Sequence, residues 1–289
     1  MSRENVADTL EPPTIVAYTP RERARAFVRA AFPKRRWRLV IVRDIAEFRS
    51  TLRRTLVDAV LVDVGSMTPG STTISEGLGG AGTPTATADD TWKIASLAHE
   101  FPSSPFFGIT TFRATDAPAI ARCVSLEFCD VLAEGVDDGV AKDIVAPRAF
   151  SARFVAALAD PPASLGLKTP MQRATWKSIL AGGGRPVRTA ALASEVGVSR
   201  EHLSRHFSTP GAPNLKRVID LVRMISAAEL AKNPGLDIRD VAKILGFASS
   251  SHLAVTAQRV LGTRPASLSR LRTVDLIDRF TQGRTRSRG

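Results

Sequence analysis

Hydrophobic positions in the first half of the chain form short, nearly continuous runs that alternate with stretches of helical periodicity. Continuous aliphatic runs predict strands buried on both faces of a parallel sheet. The stretches between them place apolar residues three and four apart, which predicts helices packed on that sheet. The predicted strands are 14–19, 37–42, 59–64, 105–110 and 129–133, and the predicted helices are 21–32, 45–56, 91–101, 116–127 and 141–158.

This alternation predicts an α/β doubly wound domain with flavodoxin-like strand order over residues 1–160. Segment 65–90 interrupts the alternation, because it is rich in Gly, Ser, Thr and Pro and has no apolar period, so we predict a long surface loop. Gly77, Gly79 and Gly82 in this segment spell G-x-G-x-x-G. The motif begins 13 residues after the predicted strand and does not open a helix, so we do not interpret it as a dinucleotide site.

The second half has helical periodicity throughout, after a segment at 161–170 whose prolines and glycine predict a linker. Two phrases, LASEVGVSREHLSRHF and VAKILGFASSSHLAVTA, share one layout, with Gly197 and Gly246 lying 49 residues apart. In each phrase the glycine can end a helix in a left-handed conformation, and a serine shortly after it can cap the next helix. We therefore predict an all-α domain with two helix-turn-helix motifs over 171–274, followed by a basic tail at 275–289.

The second helix of each motif has a predicted inner and outer face. Leu203 with Phe207, and Leu253 with Ala257, are four residues apart and are expected to face the core. Between the two motifs, segment 214–230 has the apolar spacing of one long amphipathic helix. The residues left on the two outer faces are Arg200, Glu201, Ser204 and Arg205 in the first motif, and Ser250, Ser251, His252 and Ala254 in the second.

Charge is concentrated in the half that contains the repeated motif. The chain of 289 residues has a formal net charge of +12. Residues 151–289 contain 22 Lys and Arg against 9 Asp and Glu, a net charge of +13, whereas residues 1–150 have a net charge of −1. Such a basic half predicts a polyanionic partner, most commonly nucleic acid.

Other features of the sequence limit the remaining classes of function. No apolar run approaches the roughly 20 residues of a membrane helix, and the first residues lack the apolar core of a secretion signal, so we expect a cytoplasmic protein without membrane contact. Cys123 and Cys129 are predicted to be buried thiols. No Cys/His spacing is typical of zinc, so we expect neither a metal nor a cofactor.

Residues 168–273 resemble the DNA-binding domain of AraC/XylS-type transcription regulators. The strings LASEVGVSREHLSRHF, LVRMISAAEL, DIRDVAKILGF and LGTRPASLSRL carry the resemblance. It implies a transcription regulator that binds double-stranded DNA, with RNA polymerase as a further candidate partner. Two positions depart from the family pattern, since Val255 stands where a basic residue is common and Ala257 where phenylalanine is usual. The base-contacting positions of the family fall here on Glu201, Ser204 and Arg205, then on Ser250, Ser251, His252 and Ala254.

The first half resembles a receiver domain, the module that accepts a phosphoryl group on aspartate. Asp63 stands at the acceptor position, and Thr110 or Thr111 at that of the receiver hydroxyl. The acidic pair that would hold Mg²⁺ is replaced by residues 18–20, Tyr-Thr-Pro, and LAEGVDD follows the fifth strand in place of the expected lysine. The resemblance thus implies a degenerate receiver that serves signal input or homodimerisation. The alternative is a response regulator that depends on phosphorylation of Asp63.

Three classes of function remain for the whole chain. The duplicated motif and the charge distribution favour a sequence-specific transcription regulator. A nonspecific DNA- or RNA-associated protein is the second class, because the outer face of the second motif has few charged residues. The third class, an enzyme with Asp63 as nucleophile, lacks any catalytic constellation, so we expect no enzyme. The four histidines lie in helical contexts and are interpreted as surface or packing residues: His99, His202, His206 and His252.

Overall fold

The computed structural model describes residues 11–65, 88–208 and 213–286, and the chain divides into two compact units. One unit comprises Pro13–Leu52 with Val57–Ala149, and the other comprises the chain from Phe150 onward with Arg53–Leu56. The boundary therefore lies about ten residues before the predicted domain end at residue 160. Residues 66–87 of the predicted loop 65–90, which include its glycine motif, lie outside the described residues.

The first unit is built on a five-stranded parallel sheet with the order β2-β1-β3-β4-β5. This is the flavodoxin-like order that the alternating pattern predicts. Strands β1, β3 and β4 lie inside the sheet and are fully buried, which explains their continuous aliphatic and aromatic sequences. The strands are β1 (Thr14–Tyr18), β2 (Arg38–Val42), β3 (Ala59–Asp63), β4 (Phe106–Thr110) and β5 (Asp130–Ala133).

Helices follow the strands and cover the sheet through one apolar face each. In α1, the residues Ala24, Phe27, Val28 and Ala31 recur at helical spacing, and all four are buried. Burial of Cys123 in α4 agrees with the prediction for that thiol, whereas Cys129 is exposed, contrary to the prediction. The helices of this unit are α1 (Glu22–Ala31), α2 (Ile45–Leu52), α3 (Ala88–Ala95), α4 (Ala117–Ser125) and α5 (Ala141–Val145).

The closing helix predicted at 141–158 is two helices. A single 3₁₀ turn, Ala146–Arg148, separates α5 from α6 (Phe150–Leu158). Pro147 lies in that turn and has no backbone N–H to continue an α-helical ladder, and Ala149 is extended. The break coincides with the boundary between the two units, so α6 belongs to the helical unit.

The second unit is entirely helical and is organised around one long buried helix, α10. Trp176 on α7 is also fully buried, and its indole N–H donates to the carbonyl of Leu158 at 2.7 Å. The further helices are α7 (Pro170–Ala181), α8 (Thr189–Glu195), α9 (Arg200–His206), α10 (Leu215–Leu230), α11 (Ile238–Ile244), α12 (Ser250–Leu261) and α13 (Thr273–Arg286).

Two segments predicted to be irregular are integrated into this unit. In the predicted linker 161–170, Leu165 and Leu167 are buried, and Thr169 caps α7 by accepting from the backbone N–H of Gln172. The predicted basic tail 275–289 is helical as far as Arg286, within α13. Leu276, Ile277 and Phe280 are buried there and form an apolar face that the basic composition concealed. The segment 161–170 therefore lies within the helical unit and does not link two units, and most of the segment 275–289 is part of a helix.

Among the residues that the structure describes, no helix is both long enough and apolar enough to cross a membrane.

Candidate nucleic-acid interface

The first repeated phrase forms a helix, a tight turn and a second helix. Helix α8 ends before Gly197, which has a φ of +74°, and the backbone N–H of Val198 returns to the carbonyl of Ala193 at 2.9 Å. The Ser199 hydroxyl then caps α9 by accepting from the backbone N–H of His202 at 3.1 Å. This part of the chain therefore folds as its sequence pattern predicts.

The second phrase repeats the same construction between α11 and α12. Gly246 has a φ of +64°, and the backbone N–H of Phe247 donates to the carbonyl of Ala242 at 2.8 Å. The Ser249 hydroxyl caps α12 by accepting from the backbone N–H of His252 at 3.0 Å. Both motifs have the geometry in which the outer face of the second helix can enter a DNA groove.

The two faces of the second helices are divided as the sequence predicts. Leu203 and Phe207 in the first motif are buried, as are Leu253 and Ala257 in the second. The predicted outer residues all lie at the surface of the unit. Arg200, Glu201, Ser204, Arg205, Ser251 and His252 are exposed, and Ser250 and Ala254 are partly exposed.

Helix α10 connects the two motifs and lies in the core of the unit. Of its 16 residues, the buried ones are Leu215, Val218, Ile219, Asp220, Leu221, Val222, Met224, Ile225, Ser226, Ala227, Ala228 and Leu230. A helix buried over most of its circumference cannot rotate or slide without breaking contacts on several sides. It therefore provides a rigid reference for both motifs.

Two charged side chains of α10 hold the second motif. Asp220 accepts from Arg259 of α12 at 2.6 Å. Arg223 donates to the carbonyl of Leu245 at 2.9 Å, and its guanidinium lies 3.7 Å from the ring centroid of Phe247. These contacts fix the turn and the second helix to the same rod.

The sequence pattern did not reveal this role of Asp220 and Arg223. The sequence signal for this role is that Asp220 and Arg223 are charged residues between buried apolar neighbours on α10. Charged side chains at buried positions are normally paired.

The first motif is held from the other side by α7. The Gln172 side chain is buried, and its amide N–H donates to the carbonyl of His206 at the end of α9, at 2.8 Å. The same amide oxygen accepts from the backbone N–H groups of Lys168 and Thr169. The end of the first recognition helix is thus connected to the capping box that begins α7.

The first unit contains a second candidate site at the carboxyl end of its sheet. Asp63 ends β3 and its side chain is completely buried. The Arg21 guanidinium donates through Nε to both Asp63 carboxylate oxygens, at 2.9 and 3.0 Å, and through Nη2 to Glu134, the residue that follows β5. The other oxygen of Glu134 pairs with Arg23 at 3.3 Å. A guanidinium thus lies between the two carboxylates.

The electrostatics of this cluster favour a permanent ion pair. Burial lowers the pKa of Arg21, but hydrogen bonds and charge from Asp63 and Glu134 outweigh this effect, so its pKa lies above the ordinary value. Burial has the largest effect on Asp63 and raises its pKa above the ordinary value, although the Arg21 guanidinium opposes that rise. The guanidinium is close enough to the backbone of Gly65 that a Cβ there would lie 2.6 Å from Nη2.

The predicted receiver hydroxyl is engaged nearby. Thr110 ends β4, and its hydroxyl donates to Asp116 at 2.6 Å, while the hydroxyl of Thr111 donates to the same oxygen at 2.9 Å. Burial raises the pKa of Asp116. The hydrogen bonds from Thr110, from Thr111 and from the backbone of Arg113 lower it by more than burial raises it, so its pKa lies below the ordinary value. The two hydroxyls are therefore held by a carboxylate and do not face Asp63 as donors. No cluster of three or more metal-ligating side chains occurs within the described ranges.

Sequence analysis identified Asp63 but missed Arg21 and Glu134. The available signals were an arginine directly after the first strand and its short loop, and a glutamate directly after the fifth strand. Because the carboxyl ends of parallel strands meet at one edge of the sheet, opposite charges at these positions are expected to pair.

Comparisons with known proteins agree with this geometry. Residues 192–270 match the family model of a helix-turn-helix domain, a range that includes both motifs and α10. This part of the chain is therefore a DNA-binding domain of the helix-turn-helix class, which supports a DNA-binding transcription regulator. The match confirms the resemblance of this segment to the DNA-binding domain of AraC/XylS-type regulators. A solved structure of full-length FixJ from B. japonicum is similar with a TM-score of 0.35 and 15% identity, covering 85% of this chain and 96% of that chain. No curated protein sequence matches the chain.

The two turn glycines provide a matched pair of substitutions. Gly246→Ala adds a Cβ that would lie 2.4 Å from Pro186 Cγ, whereas Gly197→Ala adds one with no atom within 4 Å. We expect Gly197→Ala to cost about 1 kcal/mol of unfolding free energy from the left-handed backbone alone. Gly246→Ala should cost about 2–4 kcal/mol, because overpacking is added. Denaturant unfolding followed by circular dichroism measures both, and equal costs would contradict the packing described at Pro186.

Substitution of Arg21 tests the buried ion pair. Arg21→Ala leaves Asp63 and Glu134 without their shared cation, so we expect a loss of about 3–5 kcal/mol in unfolding free energy. Mg²⁺ should then raise the melting temperature of the variant, because the two carboxylates can take a divalent ion that the guanidinium had replaced.

Arg29→Ala is the control, since Arg29 lies on the same helix and is exposed. Neither this control nor the unsubstituted chain should respond to Mg²⁺. An Arg21→Ala variant with unchanged stability and no response to Mg²⁺ would show that the cluster has no such role. If the alanine variant does not fold, Arg21→Lys, which retains the charge but loses the paired guanidinium contacts, should lose less stability and should not respond to Mg²⁺.

Proposed function

We propose that the protein is a sequence-specific transcription regulator that reads the DNA major groove with α9 and α12. The observation that carries this proposal is the packing of two helix-turn-helix motifs into one core with the buried helix α10, in the half of the chain with a net charge of +13. A single motif of this kind is a common helical hairpin. Two motifs on one rod present two recognition helices at a fixed separation.

The dimensions of α10 support simultaneous binding. A helix of 16 residues is about 24 Å long at 1.5 Å per residue. Successive major grooves on one face of B-DNA are about 34 Å apart. We propose that α9 and α12, which share one core with this rod, enter neighbouring grooves of one duplex together.

The outer residues of α9 have the chemistry of base recognition. Arg200 and Arg205 can each donate two hydrogen bonds to guanine, and Glu201 can accept from the cytosine amino group. The Ser204 hydroxyl can donate or accept. This helix is therefore proposed as the principal determinant of the DNA sequence.

The outer residues of α12 are proposed to contribute less discrimination. Ser250, Ser251 and His252 offer single hydrogen bonds, and Ala254 offers an apolar contact to a thymine methyl group. Val255 is 65% exposed, where a basic residue would add a contact. Because one recognition helix still carries specific chemistry, this division favours a specific regulator over a nonspecific nucleic-acid-binding protein.

The substitution Arg205→Ala tests direct base recognition. We expect a loss of about 1–3 kcal/mol in binding free energy, confined to DNA with the preferred base at one position of the site. Binding to a site selected from random duplexes, its single-base variants and a scrambled duplex should be measured over a salt series.

Arg279→Ala, which removes an exposed arginine of α13, is the charge-matched control and should leave the base preference intact. If the unsubstituted chain binds the selected and scrambled duplexes equally at every salt concentration, the sequence-specific proposal is wrong. A uniform loss for Arg205→Ala across all duplexes would instead assign Arg205 to phosphate.

For the first unit we propose a receiver-like input or dimerisation domain that works without phosphorylation of Asp63. The Arg21 contacts to both oxygens of Asp63 support this proposal, since an attacking carboxylate needs a free oxygen and a nearby Mg²⁺. The alternative, a regulator switched by phosphorylation of Asp63, requires that Arg21 leave the site. RNA polymerase is the further protein partner we propose for a regulator of this class.

Mass spectrometry distinguishes the two proposals for Asp63. After incubation of the full chain with a small phosphodonor and Mg²⁺, we expect the intact mass to be unchanged because Arg21 hydrogen-bonds both carboxylate oxygens of Asp63. An added phosphoryl group that is lost in Asp63→Asn would contradict this expectation and support the phosphorylation-dependent alternative.

Homodimerisation is proposed to use the β5 edge of the sheet. Val124 in α4, Val136 after β5 and Val140 before α5 are exposed aliphatic residues on the elements that flank this strand. Exposed apolar groups concentrated on neighbouring elements are typical of protein contact surfaces.

A further inference from the structure

The helical unit contains a cleft between the two recognition helices, which we call the interhelix cleft. Arg200 and Ser204 of α9, Lys216 and Arg217 at the start of α10, and Arg259 of α12 are the lining residues that matter to its chemistry. Its volume is about 480 Å³. The cleft therefore lies where both recognition helices meet the rod that carries them.

The charge of the cleft is of one sign. Four of its lining residues are basic, and no aspartate or glutamate among the residues that the structure describes lines it. Arg200 and Lys216 are exposed, and the side chain of Arg259 is 50% exposed although it also pairs with Asp220. Such a concentration of positive charge without a carboxylate attracts an anion.

Arg217 adds an unsatisfied donor. Its guanidinium lies 5.1 Å from the ring centroid of Phe280, and its Nε and Nη2 atoms are buried without a hydrogen-bond partner among the described residues. Buried donors are rarely left without an acceptor unless one arrives with a ligand. Arg217 therefore adds positive charge beside the cleft, while its guanidinium packs against α13.

The backbone at the start of α10 also favours an anion. This helix has 16 residues and begins at the cleft, where Asn214 caps it by accepting from the backbone N–H of Arg217 at 2.9 Å. The positive end of the helix dipole favours negative charge. The Asn214 amide oxygen is engaged in the cap, and the cleft offers charged donors and hydroxyl groups besides.

We propose that the interhelix cleft binds a backbone phosphate of the DNA strand that crosses between the two grooves read by α9 and α12. This inference rests on the proposed function, because it requires both recognition helices to engage one duplex. A strand that passes from one major groove to the next lies opposite the residues between the two helices. The cleft then sets the register of the protein on the duplex while the helices read bases.

Lys216→Ala tests the cleft, with Lys232→Ala as the matched control. Lys216 lies in the first turn of α10, whereas Lys232 lies two residues beyond its last residue and pairs with Glu229 at 2.6 Å, at the end away from the cleft. For Lys216→Ala we expect the slope of log K against log salt to decrease in magnitude by about 0.9, the loss of one phosphate contact. Affinity should fall by the same factor for every base variant of the selected site, and Lys232→Ala should change neither quantity.

Three results would overturn the assignment. These are an unchanged salt slope for Lys216→Ala, an equal change for Lys232→Ala, or a loss confined to one base variant, which would make Lys216 a base contact. Inorganic phosphate serves as the probe for a free-anion site. If millimolar phosphate stabilises the unsubstituted chain against heat but not Lys216→Ala, and the salt slope is unchanged, the cleft binds a free anion and not DNA.

The outcome for the cleft is separable from that of the proposed function. Equal affinity of the unsubstituted chain for selected and scrambled duplexes rejects sequence-specific regulation, yet the slope comparison still reports whether a phosphate is bound. Circular dichroism melting of both lysine variants verifies that they are folded, which their exposed positions lead us to expect.

Discussion

The attachment of two small helical motifs to one buried helix is the constraint on which the rest of the helical unit depends. Asp220 and Arg223 project from the largely buried α10 and hold α12 and its preceding turn through an ion pair, a backbone hydrogen bond and a guanidinium–aromatic contact. Gln172 holds the end of α9 through a buried amide. If the connection were flexible, part of the binding free energy of the second recognition helix would be lost to ordering the two motifs relative to each other. A rigid one makes the two binding events additive.

Paired charges also stabilise the first unit. A parallel sheet of this order brings polar residues together at the carboxyl ends of β1, β3 and β5. Arg21 follows β1 and its short loop, and Glu134 follows β5, so that the arginine lies between two carboxylates. The cluster is internally neutralised, so the buried Asp63 needs no metal ion to remain charged.

The sequence predicted those parts of the fold that depend on local patterns. Aliphatic runs located all five strands, and Gly197, Gly246 and the capping serines located both motifs, because these residues specify backbone conformation by themselves. The pairing of Arg21 with Asp63 was not predicted, since it joins residues 42 positions apart.

The helix in the C-terminal segment was missed for a different reason. Its basic composition obscured three apolar residues, Leu276, Ile277 and Phe280, which are buried in α13. Composition averages over a segment, whereas burial depends on the spacing of a few positions. The residues of the candidate interface were predictable because they are the outward complement of a clear apolar face.

Hydroxyl-radical footprinting of the full chain on its selected site tests the central claim, that a rigid rod places two recognition helices in neighbouring grooves. The account predicts two protected stretches on one face of the duplex, with centres about 10 base pairs apart. A single protected stretch, or two stretches on opposite faces of the duplex, would contradict it.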